Sequence, residues 1–138
     1  MLNYNSVLKD ELNHNGLSIR EVSPVMKLNL RGKKREFFTA VGKNLNMILP
    51  TEANTSSVSD KLTSIWLSPD EWMIVSNETI QKDNNRYELE ESLYKNISKT
   101  NLGAVTDVTD QFVLLELKGE NIFELFASGS PFNFNDFK

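Results

Sequence analysis

The chain has 138 residues, with 15 lysines and arginines against 19 aspartates and glutamates, a formal charge of −4. One domain's worth of protein with that balance carries no electrostatic footprint for nucleic acid. The absence of cysteine removes disulfides, thiol nucleophiles, iron–sulfur ligation and thiolate zinc sites.

The first residues lack a basic segment followed by an apolar run, and no stretch approaches about 18 apolar residues, so neither a signal peptide nor a membrane span is read. A cytoplasmic location is expected, and the Asn-x-Ser/Thr sites at Asn54, Asn77 and Asn96 then have no glycosylation role. Residues 1–21 read as a polar leader, with one helical turn around Val7 to Leu12. The single histidine, His14, falls in that leader among Asn13, Asn15 and Gly16. It is read as an exposed side chain rather than a metal ligand or general base.

From Val22 a domain is expected to run to Lys138. Val25 to Arg31 alternates in part and stops at Gly32, as a strand does. Between Lys33 and Met47 the period changes. Phe37, Val41, Leu45 and Ile48 recur at three or four residues, the mark of one apolar helical face, and Leu49-Pro50 is expected to end the helix. Residues 51–60 are small and polar, a loop. Leu62 to Leu67 and Trp72 to Ser76 read as strands joined by Ser68-Pro69-Asp70-Glu71, whose proline presets a turn and whose serine-to-glutamate spacing matches a capping box.

Residues 77–85 read as a loop, and Arg86 to Lys99 as a helix with Leu89, Leu93 and Ile97 on one face. Its glutamates come early and its lysines late, which suits the helix dipole. Ala104 to Thr109 reads as a strand, Asp110-Gln111 as a turn, and Phe112 to Leu117 as a further strand. Gly119 opens a last helix carrying Ile122, Phe123, Leu125 and Phe126. The order β-α-β-β-α-β predicts an α+β fold of the split βαβ kind, an antiparallel sheet with helices on one face. The additional strand and helix resemble a partial second unit.

Few residues offer chemistry. Asp70 with Glu71 and Asp107 with Asp110 sit at turns, where carboxylates usually face water, so neither pair is read as catalytic. The run Arg31-Gly32-Lys33-Lys34-Arg35 lies at a helix start but lacks a phosphate-cradling pattern, and it reads as a solvated face open to an acidic partner. No G-x-G-x-x-G is present. Catalytic, cofactor-binding and metal residues are therefore all assigned as none. Trp66 and Trp72 are read first as core and second as partner anchors. Phe132, Phe134 and Phe137 form an apolar tail that is expected to pack on its own domain or on a partner.

These elements resemble the gamma subunits of heterotetrameric sarcosine oxidase. The resemblance rests on Leu30-Arg31-Gly32 at a strand end, Leu49-Pro50 followed by Asn54-Thr55, and above all Trp66-Leu67-Ser68-Pro69-Asp70-Glu71-Trp72. Val105-Thr106-Asp107-Val108-Thr109 and Gly129-Ser130-Pro131 follow in the same order. Ser130 and Asn133 stand where members of that family usually carry a cysteine and an aspartate, and longer members continue into further C-terminal strands.

The family lies within the folate-binding aminomethyltransferase-like proteins. The resemblance implies an accessory, non-catalytic gamma subunit working beside alpha, beta and delta subunits. Such a complex oxidises sarcosine to glycine with O2 and tetrahydrofolate, giving H2O2 and 5,10-methylenetetrahydrofolate. FAD, FMN, NAD and tetrahydrofolate are implied for the partner subunits. The alternative is a stand-alone folate-binding or aminomethyl-transferring protein in which Asp107 or Asp70 assists.

Overall fold

A computed structural model of the chain describes residues 5–80 and 87–134. The chain's internal contacts divide it into two units: residues 25–111, here the central unit, and the residues before and after them, here the terminal unit. The fold is α+β, with two antiparallel sheets and three helices among the described residues.

The central unit begins with β3 (Val25–Gly32), whose Leu28 and Leu30 point into a core while Asn29 and Arg31 point away. Helix α1 (Arg35–Leu45) follows. Its buried face is Phe37, Val41 and Leu45, spaced four apart as one helical stripe requires. The helix stops at Asn46, which adopts a left-handed conformation with φ 49°, a common way to release the last carbonyls. Leu49-Pro50 therefore lies beyond the helix end and does not cause it.

Strands β4 (Ser56–Val58), β5 (Leu62–Ser68) and β6 (Glu71–Thr79) come next, then α2 (Glu88–Leu93) and β7 (Gly103–Asp107). The sheet order is β4-β5-β6-β3-β7, with every neighbouring pair antiparallel. Without β4, this is the strand order of the split βαβ arrangement. Strand β4 is an addition inside residues expected to form only a loop, held at the sheet's edge by pairing with β5.

Helix α2 does not continue as an α-helix to Lys99. Tyr94–Ser98 forms a π-helical turn, with Lys99 N–H donating to the Tyr94 carbonyl at 3.0 Å. Leu93 and Ile97 are both fully buried and join a core with Leu28, Leu30, Phe37, Val41, Leu45, Leu49, Trp72 and Ile74. Each such side chain stabilises the unit by roughly 1.5–3 kcal/mol relative to an exposed position. The close approach of α1 to the sheet rests on two glycines: a Cβ on Gly32 or Gly103 would strike the Phe37 ring.

In the terminal unit, β1 (Leu12–His14) and β2 (Leu17–Glu21) form a hairpin, and β2 also pairs with β8 (Leu115–Gly119). Residues expected to be a polar leader thus carry two strands. Asn15 and Gly16 join them, with φ of 46° and 75°. Two successive positive φ values give the turn whose twist matches a hairpin. Strand β8 starts at Leu115 rather than Phe112, although Val22 N–H still reaches the Leu114 carbonyl at 2.9 Å. Helix α3 (Ile122–Gly129) follows and has no buried residue. No helix among the described residues is long and apolar enough to cross a membrane.

Candidate functional site

A cluster of polar contacts in the central unit gathers at the turn Ser68-Pro69-Asp70-Glu71. This is a tight turn between β5 and β6, with Ser68 opposite Glu71 and Trp66 opposite Trp72. Neither Pro69 nor Asp70 has positive φ. The ladder is instead irregular between Trp66 and Ser68, and that irregularity absorbs the mismatch between an ordinary turn and the strands' twist.

The expected reciprocal capping between Ser68 and Glu71 is not what the turn uses. Ser68 Oγ donates to Asp70 Oδ1 at 2.9 Å, while the Glu71 carboxylate reaches across to β3. There it accepts from Asn29 Nδ2 at 2.8 Å and lies 3.3 Å from an Arg31 guanidinium nitrogen. Asp70 pairs with Lys33 at 3.2 Å, and its carbonyl accepts from Gly32 N–H at 3.0 Å. The Ser68 hydroxyl, followed by the Lys33 ammonium, holds the Asp70 carboxyl below the usual carboxylate range.

The cluster thus joins the acidic turn to the basic run that opens α1. Both carboxylates are engaged, and Arg31 and Lys33 are spent on them. Lys34 and Arg35, the remaining cations of the run, are exposed and make no ion pair with a described residue. The arrangement staples three segments together.

The two tryptophans differ. Trp72 is 1% exposed, its indole N–H donates to the Pro50 carbonyl at 2.7 Å, and its ring packs edge-on against Phe38 and tilted on Phe37. Its place among the candidate partner anchors is therefore corrected: Trp72 is a core residue with no surface left for a partner. Trp66 is half-buried against the same core, and its Nε1 is buried without a hydrogen-bond partner.

Asp107 ends β7 and accepts from Thr109 N–H at 2.8 Å, a turn role, while Asp110 is exposed just beyond. Thr109 also receives Lys27 N–H at 3.0 Å, and the buried Lys27 ammonium donates to the Val25 and Thr109 carbonyls at 3.2 and 3.1 Å. This lysine, 5% exposed, was not singled out in the sequence. Its alternation with Leu28 and Leu30 in β3 signals only that it lies on the other face. His14 is exposed on β1, opposite Leu17. Among the described residues no group of three or more histidines, aspartates or glutamates is placed to hold a metal ion.

In the terminal unit, the tail folds back on α3. The Phe134 ring stacks on Phe126 at 5.3 Å, meets Phe132 edge-on at 5.3 Å and lies 6.4 Å from Phe123. The cluster still leaves apolar surface exposed: Phe123 is 60% exposed, Leu125 42% and Phe132 36%. Phe112, Val113, Leu114 and Leu115 are exposed as well. Phe137 lies outside the described residues.

A model of the sarcosine oxidase, gamma subunit family matches residues 32–136. The chain belongs to that family. No curated protein matches the sequence. Among solved structures, the fold is similar to a chain of the heterotetrameric sarcosine oxidase from Corynebacterium sp. U-96, in complex with pyrrole 2-carboxylate, with a TM-score of 0.74 and 21% identity. The match covers 88% of this chain and 60% of that one, so it spans less than two-thirds of that chain's length. At that identity the likeness is one of fold. The stapled turn lies within the matched residues.

Proposed function

We propose that this chain is an accessory subunit of a heterotetrameric sarcosine oxidase and acts by packing on larger chains rather than through an active site of its own. The observation that carries this reading is membership of the gamma subunit family, through the match over residues 32–136. The local chemistry supports it. The signature turn spends Asp70 and Glu71 on Lys33, Arg31 and Asn29, and Trp72 is committed to the core.

In this reading the assembly demethylates sarcosine to glycine with O2 and tetrahydrofolate, and releases H2O2 and 5,10-methylenetetrahydrofolate. FAD, FMN, NAD and tetrahydrofolate belong to the alpha, beta and delta subunits, and the complex is cytoplasmic. Phe132 and Phe134, with the exposed side of α3, are the surface assigned to a larger chain, and half-buried Trp66 is the secondary contact. Exposed aromatic rings of this kind are what protein interfaces bury at their centres.

The test is co-expression of the chain with the large subunits. It should co-purify with them, while the isolated chain shows no flavin absorbance and makes no peroxide from sarcosine. An assembly prepared without it that is equally stable and active would end the proposal.

A further inference from the structure

A second surface of the central unit has a different character. An open groove of about 710 Å³ runs along α1 beside the π-helical turn, and Arg35, Glu36, Thr39, Lys43, Asn44 and Asn96 line it. Arg35, Thr39 and Lys43 are spaced four apart, so they form a stripe about 12 Å long at the helical rise of about 1.5 Å per residue.

The polar floor is fixed in place. Asn44 Oδ1 accepts from Ser92 Oγ at 2.7 Å and from Asn96 Nδ2 at 3.2 Å. Asn44 Nδ2 donates to the Ala40 carbonyl at 2.8 Å, and Asn96 Nδ2 also donates to the Ser92 carbonyl at 2.8 Å. One N–H of Asn44 and the Asn96 side-chain oxygen make no hydrogen bond with a described residue, leaving a donor and an acceptor of the kind that pairs with an extended backbone. Asn96 belongs to the π-helical turn, and such turns are frequent at functional sites.

The helix dipole accounts for Lys43 in the last turn of α1 and for Glu36 in the first, but not for Arg35. Arg35 opens α1, where a cation opposes the helix dipole, and Lys34 at the N-cap position makes no side-chain cap. Unlike Arg31 and Lys33, neither Arg35 nor Lys43 is used in an ion pair with a described residue. The groove carries two cations against the single carboxylate of Glu36, on a chain whose formal charge is −4.

We infer that this groove docks an extended acidic segment of another polypeptide, with carboxylates reaching Arg35 and Lys43 and backbone amides meeting Asn44 and Asn96. A polypeptide fits better than a nucleic acid, because the donor–acceptor pair suits a peptide backbone, no base-stacking aromatic lines the groove, and the chain as a whole is acidic. The inference goes beyond the oxidase reading, and its test needs no other subunit.

The full chain is titrated into fluorescein-labelled octaglutamate at about 50 mM salt and followed by fluorescence anisotropy. Saturable binding is expected. The double variant Arg35→Glu/Lys43→Glu should weaken it at least tenfold, whereas Lys61→Glu, an equal charge change per site off the groove, should leave it within twofold. Glu36→Gln should tighten it severalfold by removing the opposing carboxylate. Three results overturn the inference: no saturable binding, equal losses in Lys61→Glu and the double variant, or tighter binding of single-stranded DNA of the same charge. Circular dichroism of each variant verifies that these exposed substitutions leave the fold intact. Co-purification with the large subunits is scored separately, so loss of one result leaves the other standing.

Discussion

The indole N–H of Trp72 donates to the carbonyl of Pro50 at 2.7 Å, inside a core where Trp72 is 1% exposed. One hydrogen bond thereby ties the central strand β6 to the segment that leaves α1, 22 residues earlier. Trp72→Phe keeps an aromatic ring but leaves a buried carbonyl without its donor and opens a small void. It should cost about 2–4 kcal/mol, from the unpaired acceptor and the lost volume. Urea unfolding followed by circular dichroism checks this. A loss under about 0.5 kcal/mol would mean that water replaces the donor without penalty.

Gly32→Ala and Gly103→Ala each place a methyl against the Phe37 ring, and at Gly103 also against the Arg31 carbonyl. Each should destabilise the central unit by about 1–3 kcal/mol, the usual range for overpacking. Adding Phe37→Leu should recover more of the loss in Gly32→Ala than in Gly103→Ala, because only the latter also meets backbone. A double-mutant cycle reads the difference.

Gly119 has φ +142°, and a Cβ there would meet the backbone of Gly16 and Leu17. Gly119→Ala should therefore lower the stability of the β2–β8 pairing by about 1 kcal/mol or more. Amide hydrogen exchange at Leu17 to Glu21 should speed up, while exchange at Leu28 and Leu30 stays as it was. Uniform acceleration at both places would refute a local effect.

Acid should weaken the fold through two carboxylates. Hydrogen bonds from Arg20 at 2.5 Å and Lys118 at 3.1 Å hold the Glu116 carboxyl at about 2, below its ordinary 4.5. Asp70 is also held low, chiefly by Ser68 and Lys33. A carboxyl depressed in the folded state binds its proton more readily once unfolded. Its contribution is present above the ordinary carboxylate range and disappears as pH falls toward the folded value. Stability should decline between about pH 4.5 and pH 2, and Glu116→Gln or Asp70→Asn should each flatten that decline. Both groups are only half-buried, so the effects should be small and reduced by salt. An unchanged acid limb in both variants would exclude them as its source.

The apolar side of α3 should bind a fluorescent naphthalene sulfonate dye in the isolated chain. Phe123→Glu and Phe126→Glu should reduce that fluorescence severalfold. Undiminished dye binding would place the exposed apolar surface elsewhere, for instance on Phe112 to Leu115.

The central unit was largely legible because its signals are local. The spacing of Phe37, Val41 and Leu45 describes α1, and the turn chemistry of Pro69-Asp70 marks the β5–β6 hairpin. Trp66 and Trp72 look equivalent in sequence, yet only Trp72 is fully buried. The difference comes from sheet order, which puts β6 at the centre and β5 next to the short edge strand β4, and no window of sequence contains that order. The β1–β2 hairpin carried a readable signal in Asn15-Gly16. It was obscured because three-residue β1 has only exposed positions and β2 takes its second partner from residues 115–119. The end of α1 at Asn46 rather than at Leu49-Pro50 shows a left-handed asparagine acting before a proline can.

Strand β2 pairs with β8 across the entire central unit, so one folding unit is inserted within another. Closing a flexible loop of that length costs entropy before any pairing repays it. The central unit removes that obstacle, because its entry and exit are already tied together: Val108 N–H bonds to the Lys27 carbonyl at 3.0 Å, and Lys27 N–H to Thr109 Oγ1 at 3.0 Å. Assembly should thus be ordered in time, with residues 25–111 closing first and delivering residues 17–21 and 115–119 to each other as a short-range encounter. The earliest protected amides in pulsed exchange during refolding should be those of β3, β5 and β6, and a substitution that unties Lys27 from Thr109 should slow the β2–β8 step most.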